Sequence, residues 1–269
     1  MRLFPVAFAL MAGLGCSPPP EAPSDLDALM GFVFAHADDE ETAPVEQALG
    51  NLSVWMHAHG EATLEGYQVN DLEGSTLEAF GAGALADESL VGASLGFMHQ
   101  FPADWLGTDN AISPDHDLSV PPDPLEGRVY SSDAACFRDR SCDTLESAEW
   151  STDDLPLLIT SRVHWQQYWR RIDVPAGTAV VQRWWIDRPI EFNVNFLTVA
   201  HQYYLWVFLP QDDGSAVSVQ ATWISAELTG APIPENTALS LVVNTMGKAA
   251  ASLEDRVGGW HGSAEESAP

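Results

Sequence analysis

Tyr203-Tyr-Leu-Trp-Val-Phe-Leu-Pro-Gln-Asp-Asp-Gly-Ser-Ala-Val-Ser-Val-Gln-Ala-Thr-Trp223 is the stretch whose reading decides the fold. Tyr203 to Leu209 is apolar at every position. That is the composition of a strand covered on both faces, and therefore central in its sheet. Gln211-Asp-Asp-Gly214 reads as a turn, because Asp tolerates left-handed backbone and Gly adopts it freely. Beyond it Val217, Val219, Ala221 and Trp223 alternate with Ser218, Gln220 and Thr222, a period of two that predicts one buried face and one wet face. Upstream, Phe192, Val194 and Phe196 alternate in the same way with Asn193 and Asn195. The whole segment from Leu157 to Leu228 holds six of the ten Trp, and reads as an antiparallel meander.

Pro232-Ile-Pro-Glu-Asn stops the strands and starts a helix. From there Leu239, Val242, Val243, Met246, Ala250, Leu253 and Val257 recur at spacings of three and four, which predicts one apolar stripe on a helix over 236–257. Gly247, Ala249, Ala250 and Ala251 let that helix sit close to its neighbour, and Gly258-Gly259 is expected to end it. A sheet with one apolar face and a striped helix bury these against each other. The fold class is therefore α+β, a curved antiparallel sheet packed on a long C-terminal helix, with extra helices at the N-terminus.

The 269 residues suffice for one good-sized core. Formal charge is -28, and its distribution is uneven. Residues 17–127 carry 21 acids and no Lys or Arg, whereas from Arg128 onward 10 bases face 18 acids. Nucleic acid is excluded as a partner, since phosphate binding requires a basic face. The acidic half reads as a solvated surface, or as a contact surface for a protein partner.

Arg2 followed by the apolar run Leu3 to Leu14 has the n-region and h-region of a secretory signal and is too short to span a bilayer. It ends in Gly13-Leu-Gly-Cys16, which resembles the lipobox of bacterial lipoproteins, with Gly13 where Leu is usual. The resemblance implies a signal peptide over 1–15, lipidation of Cys16, and, because Ser17 follows the Cys, an outer-membrane destination. The alternative is an ordinary secreted protein cut near the same place. Residues 16–24, with Pro18, Pro19, Pro20 and Pro23, read as a stiff tether. If Cys16 carries lipid, Cys136 and Cys142 remain, and an oxidising compartment favours their pairing. A redox or metal pair lacks the Cys-x-x-Cys spacing.

Along the rest of the chain, residues 25–60 read as a helical extension, with one helix through Leu26, Leu29, Met30, Val33 and Phe34 and another through Val45, Leu49, Leu52 and Trp55. The main domain is expected over 61–259. It opens with a short strand at Thr63 to Val69, helical pieces from Asp71 to Leu90, and a strand at Val91 to Phe101. A loop then follows at Asp104 to Pro124, a strand at Gly127 to Phe137 and an acidic loop at Cys142 to Pro156. Residues 260–269 read as a disordered tail.

No catalytic motif is present: there is no Gly-x-Ser-x-Gly, and so many carboxylates make an acid pair uninformative. His57-Ala-His-Gly-Glu61 is the densest metal-like set, yet two His two apart diverge on a helix. Asp115-His-Asp117 matches no standard spacing, and His36 to Glu41 lacks the ordered oxygen pattern of a calcium loop. No metal or cofactor is implied, and a metal-dependent hydrolase using His57, His59 and Glu61 is the least favoured reading. Arg162, His164, Gln166, Tyr168 and Arg170 share one strand parity, opposite Val163, Trp165 and Trp169. Arg162, Arg170 and Arg183 therefore read either as a wet outer face or as a polar rim for an anionic head group.

The order of elements, a strand, helices, antiparallel strands and a long last helix over residues 62–258, resembles the START-like or Bet v 1-like (SRPBCC) helix-grip fold. The resemblance implies an apolar cavity between sheet and last helix. Trp185, Tyr204, Trp206, Trp223, Val243, Met246, Gly247 and Ala250 would line it. A non-enzymatic envelope protein binding an apolar or amphipathic small molecule follows; a filled core, with a purely structural or interaction role, is the alternative.

Overall fold

The computed structural model describes residues 20–63, 66–80, 90–112, 127–155, 158–228, 231–232 and 235–265. Two helices come first, α1 (Leu26–His36) and α2 (Ala43–Thr63). A two-residue strand β1 (Tyr67–Gln68), helix α3 (Gly74–Ala79) and strand β2 (Val91–His99) follow. Next are α4 (Ala103–Ala111), β3 (Gly127–Tyr130), α5 (Ala134–Arg138) and β4 (Thr144–Leu155). The meander is β5 (Ile159–Val174), β6 (Gly177–Ile186), β7 (Glu191–Phe192), β8 (Leu197–Pro210) and β9 (Ala216–Leu228). A two-residue β10 (Ala231–Pro232) leads into α6 (Glu235–Glu265).

One curved antiparallel sheet runs in the order β1-β2-β9-β8-β6-β5-β4-β3, with β7 on β5 and β10 on β9. The α+β class and the antiparallel sheet packed on a C-terminal helix are as expected from sequence. The strand read as fully apolar, β8, lies between β9 and β6 and is buried from Tyr203 to Leu209.

The sheet is covered on both faces, which changes how the helices are assigned. Val217, Val219, Ala221 and Trp223 of β9 pack with Tyr203, Leu205, Val207 and Leu209 of β8 against α1 and α2. Leu29, Met30, Val33, Phe34, Val45, Leu49 and Leu52 of those helices are fully buried there. Residues 25–60 thus form the layer that covers this face of the sheet, an integral part of the core. The long helix α6 lies on the other face, with Met246, Ala250, Leu253 and Val257 buried against Leu95, Tyr204, Trp206 and Phe208. It therefore covers Ser218, Gln220 and Thr222, the face expected to be wet. Each polar group there has a partner. Ser218 bonds the His99 ring, Gln220 takes the Tyr204 hydroxyl and donates to Met246 O, and Thr222 donates to Tyr203 O. Buried polar groups are tolerated when paired.

Several boundaries differ from expectation. The segment after Pro102 is a helix, because Ala103, Leu106 and Ala111 at helical spacing are buried on the α6 side of the sheet. Its Gly107 passes so near Val180 that a Cβ would fall within 2.5–2.7 Å of that side chain, a close approach only glycine permits. The expected acidic loop is β4, paired with β5 over its full length. Expected strand residues beyond Tyr130 form α5, whose first turn is capped by Asp133 accepting from the Ala135 and Cys136 amides. Helix α2 runs on to Thr63, which shortens the first strand to β1. Of the expected 192–196 strand only Phe192 pairs in register with β5, together with Glu191 just before it. Helix α6 continues through Gly258 and Gly259 to Glu265, so the backbone remains helical into the segment read as a tail. A Cβ at Gly258 would fall 3.3 Å from the Phe101 ring, so α6 passes close to the end of β2 at this glycine. Cys136 and Cys142 are joined, with Cα atoms 5.5 Å apart.

Candidate functional site

On the α6 face, strand register sets one row of side chains across the sheet. Arg128 lies opposite Glu149, Glu149 opposite Trp165, and Gln167 opposite Trp184, which lies opposite Tyr204; Tyr204 in turn faces Thr222. Between this row and α6 lies a cavity of about 460 Å³, lined on the helix side by Val242, Met246 and Ala249. That volume lies in the lower part of the range for small-molecule sites, ~300–1,000 Å³.

Its wall is aromatic. Trp165 meets Trp184 edge-on with centroids 4.0 Å apart, Trp184 stacks on Tyr204 at 4.3 Å, and Trp206 stacks on Phe208 at 4.9 Å. Burial pushes the Tyr204 hydroxyl well above its ordinary pKa, so it stays protonated and donates to Gln220. The polar end of the cavity holds Arg128, Glu149, Gln167, Gln182 and Asn110. Asn110 donates to Gln182, and Gln167 donates to Glu149 at 2.9 Å.

Of the residues expected from sequence, Tyr204, Trp206 and Met246 line this cavity. Ala250 is buried in the packed part of the same face, Val243 is packed beside it, and Gly247 faces Leu95. Trp185 and Trp223 lie on the opposite face against Phe80 and Phe34. Parity explains this: odd positions of β6 and β9 face α1, even positions face α6. The same parity removes the expected rim. Arg162 is exposed beside β7, where it pairs with Glu191 in register. Arg170 and Arg183 are buried on the α1 face. Arg170 donates to Ala37 O and Asp39 O, while Arg183 donates to Phe34 O and pairs with Asp38. Two guanidinium groups thus cap the C-terminus of α1, where free carbonyls and the helix dipole favour cations. Although burial works to raise it, the Asp38 carboxyl is held below its ordinary range by the hydrogen bond and charge of Arg183.

The His36–Glu41 run is therefore the end of α1 held to the sheet. His59 stacks on Trp55 and bonds its carbonyl. The Glu61 side chain, Asp115–Asp117 and Cys16 lie outside the described residues. Among the described residues no group of three His, Cys, Asp or Glu is placed to hold a metal ion.

Sequence reading missed a carboxylate–imidazole–hydroxyl relay. Glu254 Oε2 lies 2.7 Å from His99 Nδ1, and Ser218 Oγ 2.8 Å from Nε2. Three elements distant in sequence supply it, so no local motif marks it. Ser218 is fully buried and none of the three lines the cavity, so the relay fastens α6 to β2 and β9. Burial, partly offset by Glu254, lowers the His99 pKa from 6.5, so the ring is neutral, donating from Nδ1 and accepting at Nε2. The folded state then binds this proton less readily than the unfolded chain. The stability contributed is full above about pH 6.5 and declines as pH falls below it, towards the folded pKa. Urea midpoints across this range should show that decline, and His99→Gln should flatten it; an equal slope in both proteins would contradict the assignment.

No family model and no curated protein matches the chain. Solved structures similar to it include a STAR-related lipid transfer protein (fragment 25–204) from Xanthomonas axonopodis, 12% identical, covering 71% of this chain and 92% of that one at TM-score 0.39. Human STARD10 is 10% identical, with 74% and 85% covered at TM-score 0.42. A START superfamily protein from Mycobacterium smegmatis is 13% identical, with 62% and 96% covered at TM-score 0.37.

Proposed function

We propose that this chain is a lipid-anchored protein of the bacterial cell envelope that binds one apolar or amphipathic small molecule between its sheet and α6, without chemically altering it. The observation that carries the binding reading is the aromatic-walled cavity of about 460 Å³ under Met246. Concave, mostly apolar space with a few convergent polar groups is the usual form of a small-molecule site. Arg128 and Gln167 donate to Glu149, and Asn110 donates to Gln182, so these side chains hold one another in place, which favours holding a ligand over turning it over.

Native mass spectrometry of protein purified from an oxidising compartment tests it. Extra mass that denaturation removes, or a one-to-one adduct with the uncharged dye Nile red, is the expected result. A clean mass that Nile red does not shift would sink the binding reading. The anchoring reading rests on Arg2 to Cys16. Cys16→Ala is expected to move the protein from the membrane to the soluble fraction, since the several acyl chains carried by that Cys provide the attachment. A variant that still sediments with membranes would refute lipidation.

A further inference from the structure

We infer that Glu149 sets the charge class of the ligand, making the cavity select uncharged amphiphiles over carboxylates and other anions; this rests on the cavity being a ligand site. Arg128 is the one cation among the residues lining it, and an anionic head group would ordinarily seek it. That guanidinium is already engaged. Nε donates to Glu149 Oε2 at 2.8 Å and Nη2 donates to the same oxygen. Nη1 donates to Ala111 O at 2.7 Å and to Asn110 O at 3.3 Å. The side chain is 7% exposed, and its guanidinium lies over the Trp169 ring at 5.4 Å.

An anion entering this end would have to displace bonds that orient Arg128, and would meet the Glu149 carboxylate beside them. It would also enter a protein of net charge -28, whose field opposes it. An uncharged head group meets neither obstacle. Glu149 Oε2 already accepts from Arg128 and Gln167, while Oε1 accepts no hydrogen bond among the described residues and can take a hydroxyl. The Gln202 amide, also lining the cavity, adds a donor and an acceptor that suit an uncharged group.

Calorimetric titration of the full chain with decan-1-ol and with decanoate at neutral pH tests this, with Nile red as a third probe. Wild type is expected to bind the alcohol about tenfold or more tightly than the acid, the scale of a charge-assisted bond denied to the anion. Glu149→Gln keeps the shape and removes the carboxylate charge, leaving the Arg128 charge uncompensated, so decanoate affinity should rise about tenfold while the alcohol changes little. Equal wild-type affinity for alcohol and acid, with Nile red bound, overturns the inference and leaves the ligand-binding reading standing. If none of the three binds, both are overturned. An unchanged alcohol-to-acid ratio in a folded Glu149→Gln variant also overturns it, and should that variant not fold, the wild-type comparison decides alone.

Discussion

Trp223→Ala is expected to destabilise the fold by about 3–5 kcal/mol, the range for emptying a fully buried large aromatic site. Trp223 is wholly inaccessible. Its ring meets Phe34 of α1 with centroids 5.6 Å apart, and its indole N–H donates to Asn70 O at 2.7 Å. One side chain thus joins the sheet to α1 and to the segment between β1 and α3. Truncation removes its packing and leaves the Asn70 carbonyl without this donor, and the surrounding helices cannot collapse fully into the space. Denaturant midpoints measure the loss. Because Trp223 faces away from the cavity, Nile red affinity of the folded variant should match wild type. A loss under about 1 kcal/mol would place Trp223 outside the core, and a selective loss of dye binding would return it to the cavity.

Met246→Asp should be nearly as damaging, and damaging in a different way. Met246 is 2% exposed and sits where α6 closes over the cavity. The groups beneath it are engaged: Gln220 receives the Tyr204 hydroxyl and donates to the Met246 carbonyl at 3.2 Å. A carboxylate introduced there has no cation to pair with from those residues. Burying it unpaired costs several kcal/mol, on the order of 3 or more. The expected result is partial loss of helicity by circular dichroism together with loss of the cavity. Met246→Leu, of similar volume, should retain both. A Met246→Asp protein with wild-type midpoint and dye affinity would show that α6 does not pack here.

Parts of this arrangement were legible in the residues. The run from Tyr203 to Trp223 marks β8, its turn and β9, since an unbroken apolar strand can only be central. The spacing from Met246 to Val257 marks the buried stripe of α6, whose members at 246, 250, 253 and 257 are all buried. Other parts carried no local signal. Strand β4 gives no apolar alternation because Glu146 is exposed on its outer face and Glu149 stands among the inner positions, and only Leu145 and Ser147 are buried within its described side chains; pairing with β5 makes it a strand. Helix α4 hides behind Asp104, Gly107 and Asp109, and the glycine that weakens its propensity is the one that lets it approach Val180. The cavity's polar end was missed because Arg128 and Glu149 stand 21 positions apart and meet only by the register of β3 on β4.

What the sequence determined by itself was the type of each strongly periodic element and the division of each strand into two faces. Alternation and helical spacing are properties of the local chain, and they survive any arrangement of neighbours. Which face meets which helix was decided only in three dimensions. On β9 the apolar face went to α1 and α2, and the polar face went under α6, where Ser218, Gln220 and Thr222 find partners on the paired strands and on α6. The same choice sent Trp223 and Trp185 to the core, Arg170 and Arg183 to the end of α1, and Tyr204 and Trp206 to the cavity. A polar residue is wet or buried according to whether a partner comes within hydrogen-bonding distance, and that partner is supplied by the folded sheet rather than by the neighbouring residues.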